Sequence, residues 1–220
     1  MKVQVRQKWT AVSRILALLL AWHACLACAA PEVDYRLGAD AYRAGDVVRA
    51  MALLKASADA GHARSQSLLA YILDQAEFNE EAVAYYRKAA AQGDAEGEYG
   101  LGAMYAAGEG VKRDRAEARK WITRAAERGH AAAINSLAQA YIDGELDIDE
   151  TQRNGAEALR WVRQAADAGY LPALERLAAA YRTGAYGLAV DLKQAEAMDA
   201  KARAAKGLVE KTATKRKEKK

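Results

Sequence analysis

Few residues of this chain are of types that do chemistry. A hydrolytic centre needs a hydroxyl or thiol nucleophile beside a base that a third group orients. Ser57, Ser65, Ser67 and Ser136 stand outside any G-x-S-x-G setting, and the sequence alone assigns none of them a base. His62 and His130 each follow a glycine, Gly61 and Gly129, and so hold equivalent places in different segments. That placement reads as a turn or helix-start role, not as a shared metal site or catalytic pair. Cys25 and Cys28 have the C-x-x-C spacing of redox and metal motifs, but both lie inside an apolar amino-terminal run.

Two loops look like ligand cradles. Gly108-Glu109-Gly110 could wrap a phosphate, but such loops follow a strand and carry further glycines, whereas a helical pattern precedes this one. Asp143 to Glu150 alternates carboxylates as a calcium loop does. With Glu145 as first ligand, Glu150 stands where glycine is required and Ala156 where the bidentate glutamate belongs, so a solvated acidic loop is expected instead. The sequence assigns no catalytic residue, metal ligand or cofactor.

The elements that would position any site are announced by repetition. Gly61, Gly93, Gly129 and Gly169 recur at spacings of 32, 36 and 40 residues, and eight residues after each comes a leucine: Leu69, Leu101, Leu137 and Leu177. Eight before each stands a large apolar residue, Leu53, Tyr85, Trp121 or Trp161, with Met198 in the matching place of a fifth unit. Three earlier again is alanine: Ala50, Ala82, Ala118, Ala158 and Ala195. Ala118, Trp121, Ile122 and Ala125 follow helical i, i+3, i+4, i+7 spacing, as do Ala158, Trp161, Val162 and Ala165, so each set shares one buried face. Alanine lets a second helix approach, the bulky residue fills the gap beside it, and glycine takes the left-handed conformation that ends the helix. Each unit is therefore expected to be an antiparallel helix pair, and neighbouring pairs must stack to cover their apolar faces.

Leu101-Gly102-Ala103-Met104-Tyr105, Gly108-Glu109-Gly110-Val111, Asp114, Ala118, Trp121 and Ala125-Ala126-Glu127-Arg128-Gly129 together resemble a nearly complete Sel1-like repeat, a variant of the tetratricopeptide repeat. Leu137, Tyr141, Gly144, Ala158, Trp161 and Gly169 repeat it with a longer loop, and Leu177, Tyr181, Gly184, Asp191 and Ala195 form a degraded copy. Leu37-Gly38, Gly45-Asp46, Ala50 and Ser57, then Leu69, Ala82, Tyr86 and Ala89, resemble plain tetratricopeptide units, with Leu73 in place of the usual tyrosine. The resemblance implies an all-α, right-handed α-solenoid of about five helix pairs, at residues 32–62, 63–94, 95–130, 131–170 and 171–207 of a repeat domain spanning 30–207.

Composition agrees. Of 220 residues 54 are alanine, the best helix former, against one Phe and two prolines, which argues against a β fold. The net charge of +4 belongs to the ends. Residues 1–29 carry Lys2, Arg6, Lys8 and Arg14 without an acid, residues 206–220 carry seven basic side chains and two acidic ones, and between them 22 basic face 27 acidic residues. A nucleic-acid binder concentrates basic charge on its folded surface, so nucleic acid is excluded as a partner. Ile15 to Leu26 is an apolar run of 12 residues behind a basic segment, too short to span a bilayer and suited to a signal peptide ending at Ala29. The rival reading is lipid attachment at Cys28, where Cys25 replaces the leucine of a lipobox. Residues 208–220 have no apolar face and are expected to form a disordered basic tail, either solubilising or weakly tethered to an anionic surface.

In tetratricopeptide-like families the first helix of each unit lines a binding groove. Carried over by register with the repeat leucines, the resemblance puts Tyr42, Arg43, Tyr71, Gln75, Asn135, Gln139, Glu175 and Arg182 toward that groove. The function it implies is a non-enzymatic adaptor for protein partners in the bacterial cell envelope, periplasmic or secreted, that assists assembly of an envelope complex. The alternatives are an envelope-anchored or carbohydrate-binding structural protein, or a secreted host-interaction factor. The export reading makes a direct prediction: amino-terminal sequencing of the exported protein should begin at Ala30 and find no cysteine. A diacylated Cys28 in intact-mass analysis would overturn it.

Overall fold

The computed structural model describes residues 30–217, with side chains through Gly207. The expected signal peptide, with Cys25 and Cys28, lies outside the described residues. The described chain is helical, with no strand. After α1 at 30–43 come α2 (Val47–Asp59), α3 (Ala63–Gln75), α4 (Asn79–Ala91), α5 (Ala95–Ala107), α6 (Arg115–Glu127) and α7 (Ala131–Asp143), each of 13 residues. The one-turn α8 (Glu150–Arg153), α9 (Ala156–Asp167), α10 (Leu171–Thr183), a 3-10 turn at Ala185–Gly187 and α11 (Leu192–Lys217) complete it.

Most of these helices open on a side-chain cap that satisfies a free amide of the first turn. Asp46, Asp94 and Asp114 accept from backbone N–H groups two or three residues on, and His62 and His130 do the same through Nδ1. The two histidines thus have the helix-start role their position after glycine predicts. Gly61, Gly93, Gly129 and Gly169 all have φ between 77° and 93°, as their helix-ending role requires.

The chain divides after Gln92 into two compact units. In the first, α1 packs on α2 and α3 packs on both α2 and α4. Ala50, Leu54, Leu69, Ala82 and Val83 are almost fully buried there. Three hydroxyl and ring contacts fix the start of α1: Ser57 donates to the Pro31 carbonyl at 2.6 Å, Ser65 donates to Ser57 at 2.7 Å, and Tyr35 lies against the His62 ring.

In the second unit α5 packs on α6, α6 on α7, α7 on α9, α9 on α10 and α10 on α11. The repeat leucines Leu101, Leu137 and Leu177 are 1%, 0% and 4% exposed, so each carries most of the roughly 1.5–3 kcal/mol available from burying a leucine. The pairs approach closely because Ala118 and Ala158 are buried completely. A Cβ added at Gly102 would fall 2.7 Å from Ile122 Cγ1 and 3.2 Å from the Ala118 carbonyl, so this helix must be glycine at its crossing with α6. Glu98 is a fully buried carboxylate in this core. Arg128 Nε donates to its Oε2 at 2.9 Å, and Arg124 stands 2.9 Å from Oε1 as an ion pair without hydrogen-bond alignment.

Two expectations are corrected. Trp121 is only half-buried, held by Arg124 over its ring at 4.6 Å and by an indole N–H bond to Glu117, whereas Trp161 is 0% exposed, within the core that α9 shares with α7 and α10. The acidic loop after Gly144 has its carboxylates in solvent, as expected, with Asp143, Glu145, Asp147, Asp149 and Glu150 all exposed, while buried Leu146 and Ile148 dock it, Asp149 caps α8 and Asp147 faces Arg115. Finally, α11 continues to Lys217, so a stretch expected to be disordered from residue 208 is helical there. Alanine, lysine, arginine and glutamate have high helix propensity and no proline interrupts them, so the helix already formed at Leu192 is extended at little cost.

Trp161→Ala should lower unfolding free energy by about 3–5 kcal/mol in chemical denaturation, and Trp121→Ala by about half that or less, since its ring already meets water. Equal losses would contradict the burial difference. Tyr141, 4% exposed, has its phenol pushed up from 10.0 to about 12 by burial first and then by a hydrogen bond to Glu157. The folded state therefore favours the neutral phenol. That contribution should be intact below pH 10 and lost as pH rises toward 12, which ultraviolet titration beside circular dichroism would follow.

Candidate functional site

In the first unit the expected groove residues lie along the two first helices. Tyr42 near the end of α1 meets Tyr71 in the middle of α3, ring centroids 6.2 Å apart and edge to face at 89°. Tyr71 is 39% exposed, and burial followed by the neighbouring Tyr71 raises the Tyr42 phenol above its ordinary value. Two large amphipathic rings held against each other with one face open form a pre-ordered contact surface at low entropic cost. Gln75 is exposed at the end of α3, and Arg43 is exposed and paired with Asp40 of its own helix at 2.7 Å.

In the second unit Asn135 and Gln139 stand one turn apart on α7, both half-buried. Gln139 donates to Asp143 at 2.6 Å and accepts from the Tyr170 hydroxyl at 2.9 Å, which fixes its amide. The Asn135 Oδ1 is buried with no hydrogen-bond partner. A buried amide oxygen left unpaired is unfavourable by about 1–3 kcal/mol, and this one is closed to solvent, so no partner group reaches it without a side-chain movement. Glu175 is exposed on α10, and Arg182 is tied to Asp199 of α11. Structure and sequence thus agree that these residues sit on first helices. Tyr42 pairs with Tyr71, while Arg182 is committed to a neighbour inside its own unit.

The structure also assembles a cluster that the sequence reading did not. His62 Nδ1 is 2.9 Å from Ser65 Oγ, and its Nε2 is 3.0 Å from Glu32 Oε2, the order of a serine–histidine–glutamate relay. Ser65 is nevertheless 0% exposed and Ser57, which accepts its proton, 1%. The hydroxyl chain ends on the Pro31 carbonyl, so no substrate atom can reach the oxygen. The second unit repeats the histidine part without the serine: His130 Nε2 is 2.9 Å from Glu96, its ring lies 4.9 Å from Tyr99, and the residue matching Ser65 is Ala133. The shared geometry is a structural tie from each capping histidine to the previous repeat's first helix. Its sequence signal was present as Glu-x-x-Tyr at Glu32–Tyr35 and Glu96–Tyr99. Among the described residues no group of three His, Cys, Asp or Glu side chains is placed to hold a metal ion, and no helix is long and apolar enough to cross a membrane.

Comparison with known proteins places this geometry. A protective antigen of uropathogenic Escherichia coli that displays an SLR fold superposes with a TM-score of 0.68 and 27% identity, over 79% of this chain and 38% of that one. A Sel1 repeat protein from Oxalobacter formigenes gives 0.61 and 25% identity, over 78% of this chain and 70% of that one. The chain therefore spans well under half the length of the first of these relatives. No curated protein matches in sequence. The Sel1 repeat pattern matches residues 31–62, 79–94, 95–130, 131–170 and 171–198. It leaves out α3, the helix in which buried Leu73 replaces the repeat tyrosine. These matches cover more than half of the chain, so the chain belongs to the Sel1 repeat family.

Proposed function

We propose that this chain is a non-enzymatic adaptor of the bacterial cell envelope that holds a protein partner against the first helices of its repeats. Sel1 repeat proteins are typically protein-interaction scaffolds, and they are generally non-catalytic. The observation that carries the reading here is the open aromatic pair Tyr42 and Tyr71. Aromatic rings supply contact area, and an amide satisfies the backbone of an extended peptide. Export rests on the basic and apolar pattern of residues 1–29.

The catalytic alternative has a specific obstacle in the burial of Ser65 and Ser57. The relative from uropathogenic Escherichia coli is described as a protective antigen, which is compatible with a surface or secreted setting for this chain too.

The test is affinity capture from an envelope extract followed by a binding curve for the recovered partner. Tyr42→Ala with Tyr71→Ala should weaken binding by about 30-fold, the ~2 kcal/mol of a central desolvated anchor. Arg163→Ala, exposed on the outer helix α9, should leave it unchanged. Loss with Arg163→Ala and none with the tyrosine pair would move the interface off the first helices.

A further inference from the structure

Between the α5–α6 loop and the loop after α7 lies a cavity of about 240 Å³ lined by Ala106, Arg113, Arg115, Gly144, Glu145 and Leu146. It is separate from the first-helix residues described above. We propose that it binds a carboxylate of the partner peptide, with the two arginines as receptors; this rests on the reading of the chain as a protein-binding scaffold.

The arginines of this region differ in what they already hold. Arg119 donates to the Asp147 carbonyl and to Gln152, and Arg153 donates to the Ile142 carbonyl while its aliphatic stem covers Gly144. Those two staple the loop after α7. Arg113 uses only its Nε–H, on the Ala106 carbonyl at 2.9 Å, so the guanidinium is oriented while both terminal nitrogens remain for a ligand. Its position is fixed further by Gly108, where a Cβ would fall 3.0 Å from Arg113 Cβ. Arg115 has a loose partner in Asp147, at 3.7 Å with both side chains more than half exposed, an arrangement worth little in water.

The opposite wall is rigid. Leu146 and Asp147 both hold positive φ, 54° and 57°, a strained conformation for residues with side chains. Burial of Leu146 and Ile148 and the stapling arginines keep it in place. A planar guanidinium with both terminal groups available matches a carboxylate in bidentate geometry. The volume is below the range of drug-sized pockets and suits one terminal or side-chain carboxylate with a short aliphatic stem against Ala106 and Leu146. Glu145, the one acid in the lining, opposes an anion directly and so sets the sign of a control.

The probes are acetyl-Gly-Ala-Val with a free carboxylate, the same peptide amidated, and acetyl-Gly-Glu-Gly-amide, titrated into the full chain while the amide resonances of Gly108, Gly144 and Leu146 are followed. Saturable shifts are expected with the first probe for a terminal carboxylate, or with the third for a side-chain carboxylate, and not with the amidated control. Arg113→Gln and Arg115→Gln should each weaken binding by about tenfold, as for loss of a charge-assisted pair. Glu145→Gln should tighten it, a change that no loss of folding can imitate. Equal shifts with the amidated peptide, no saturation with either acid, or weaker binding by Glu145→Gln would overturn the site. The tyrosine variants above leave these titrations unchanged, so the two proposals fail separately.

Discussion

The fold depends on close approach of paired helices at positions that carry almost no side chain. Ala50, Ala82, Ala118, Ala158 and Ala195, one per repeat, are 0–1% exposed, and on the facing helix Gly38 and Gly102 admit Leu54 and Ile122 at distances that no Cβ would tolerate. Dispersion and apolar burial are gained only at such contact distances. Once these crossings are set, each second helix covers one stripe of its first helix and leaves the opposite stripe open. The exposure of Tyr71 is a consequence of that geometry.

This constraint explains why the sequence was so informative about fold. A small residue at the crossing, a leucine inside and a glycine at the end are each demanded by one contact or one dihedral, and each recurs at a fixed offset. The helix pairs, the capping histidines and the left-handed glycines could all be read from spacing. The placement of the candidate groove residues on first helices followed from the same register. What spacing could not supply was the degree of burial at the edges. Trp121 and Trp161 occupy the same repeat position, yet one ring is half-buried and the other fully buried. Loop docking was similarly hidden, because the burial of Leu146 and Ile148 depends on packing within the unit and not on their neighbours in sequence.

Polar residues inside the repeats show a second kind of limit. Position 98 is a buried glutamate, its counterpart in α3 is Gln66 and in α7 is Ile134. Each is satisfied differently: Glu98 by Arg124 and Arg128, Gln66 by the Ala58 carbonyl and Gln92, Ile134 by apolar contact. The repeat prescribes a filled volume there, and the partner residues at the end of the following helix have adapted to its chemistry. Such covariation has no signature in a single sequence. The Ser65–His62–Glu32 chain belongs to the same class, a set of residues brought together to close hydrogen bonds from buried Ser65 out to the surface carboxylate of Glu32.

The division of polar groups between closed and open networks bears directly on function. Glu98 shows the closed kind: its carboxylate is 0% exposed whereas Arg124 and Arg128 are each more than 40% exposed, so removing the arginines would strand a buried charge but removing the glutamate would return two cations to water. Such ties hold helices at fixed separations and expose no chemistry of their own. The open kind is sparse: a phenol pair across α1 and α3, and two guanidinium groups at the loop edge. A surface that presents a few such groups on a closely packed frame loses little entropy when a ligand arrives. Rigid closed ties and sparse open groups are together what a protein-interaction scaffold requires.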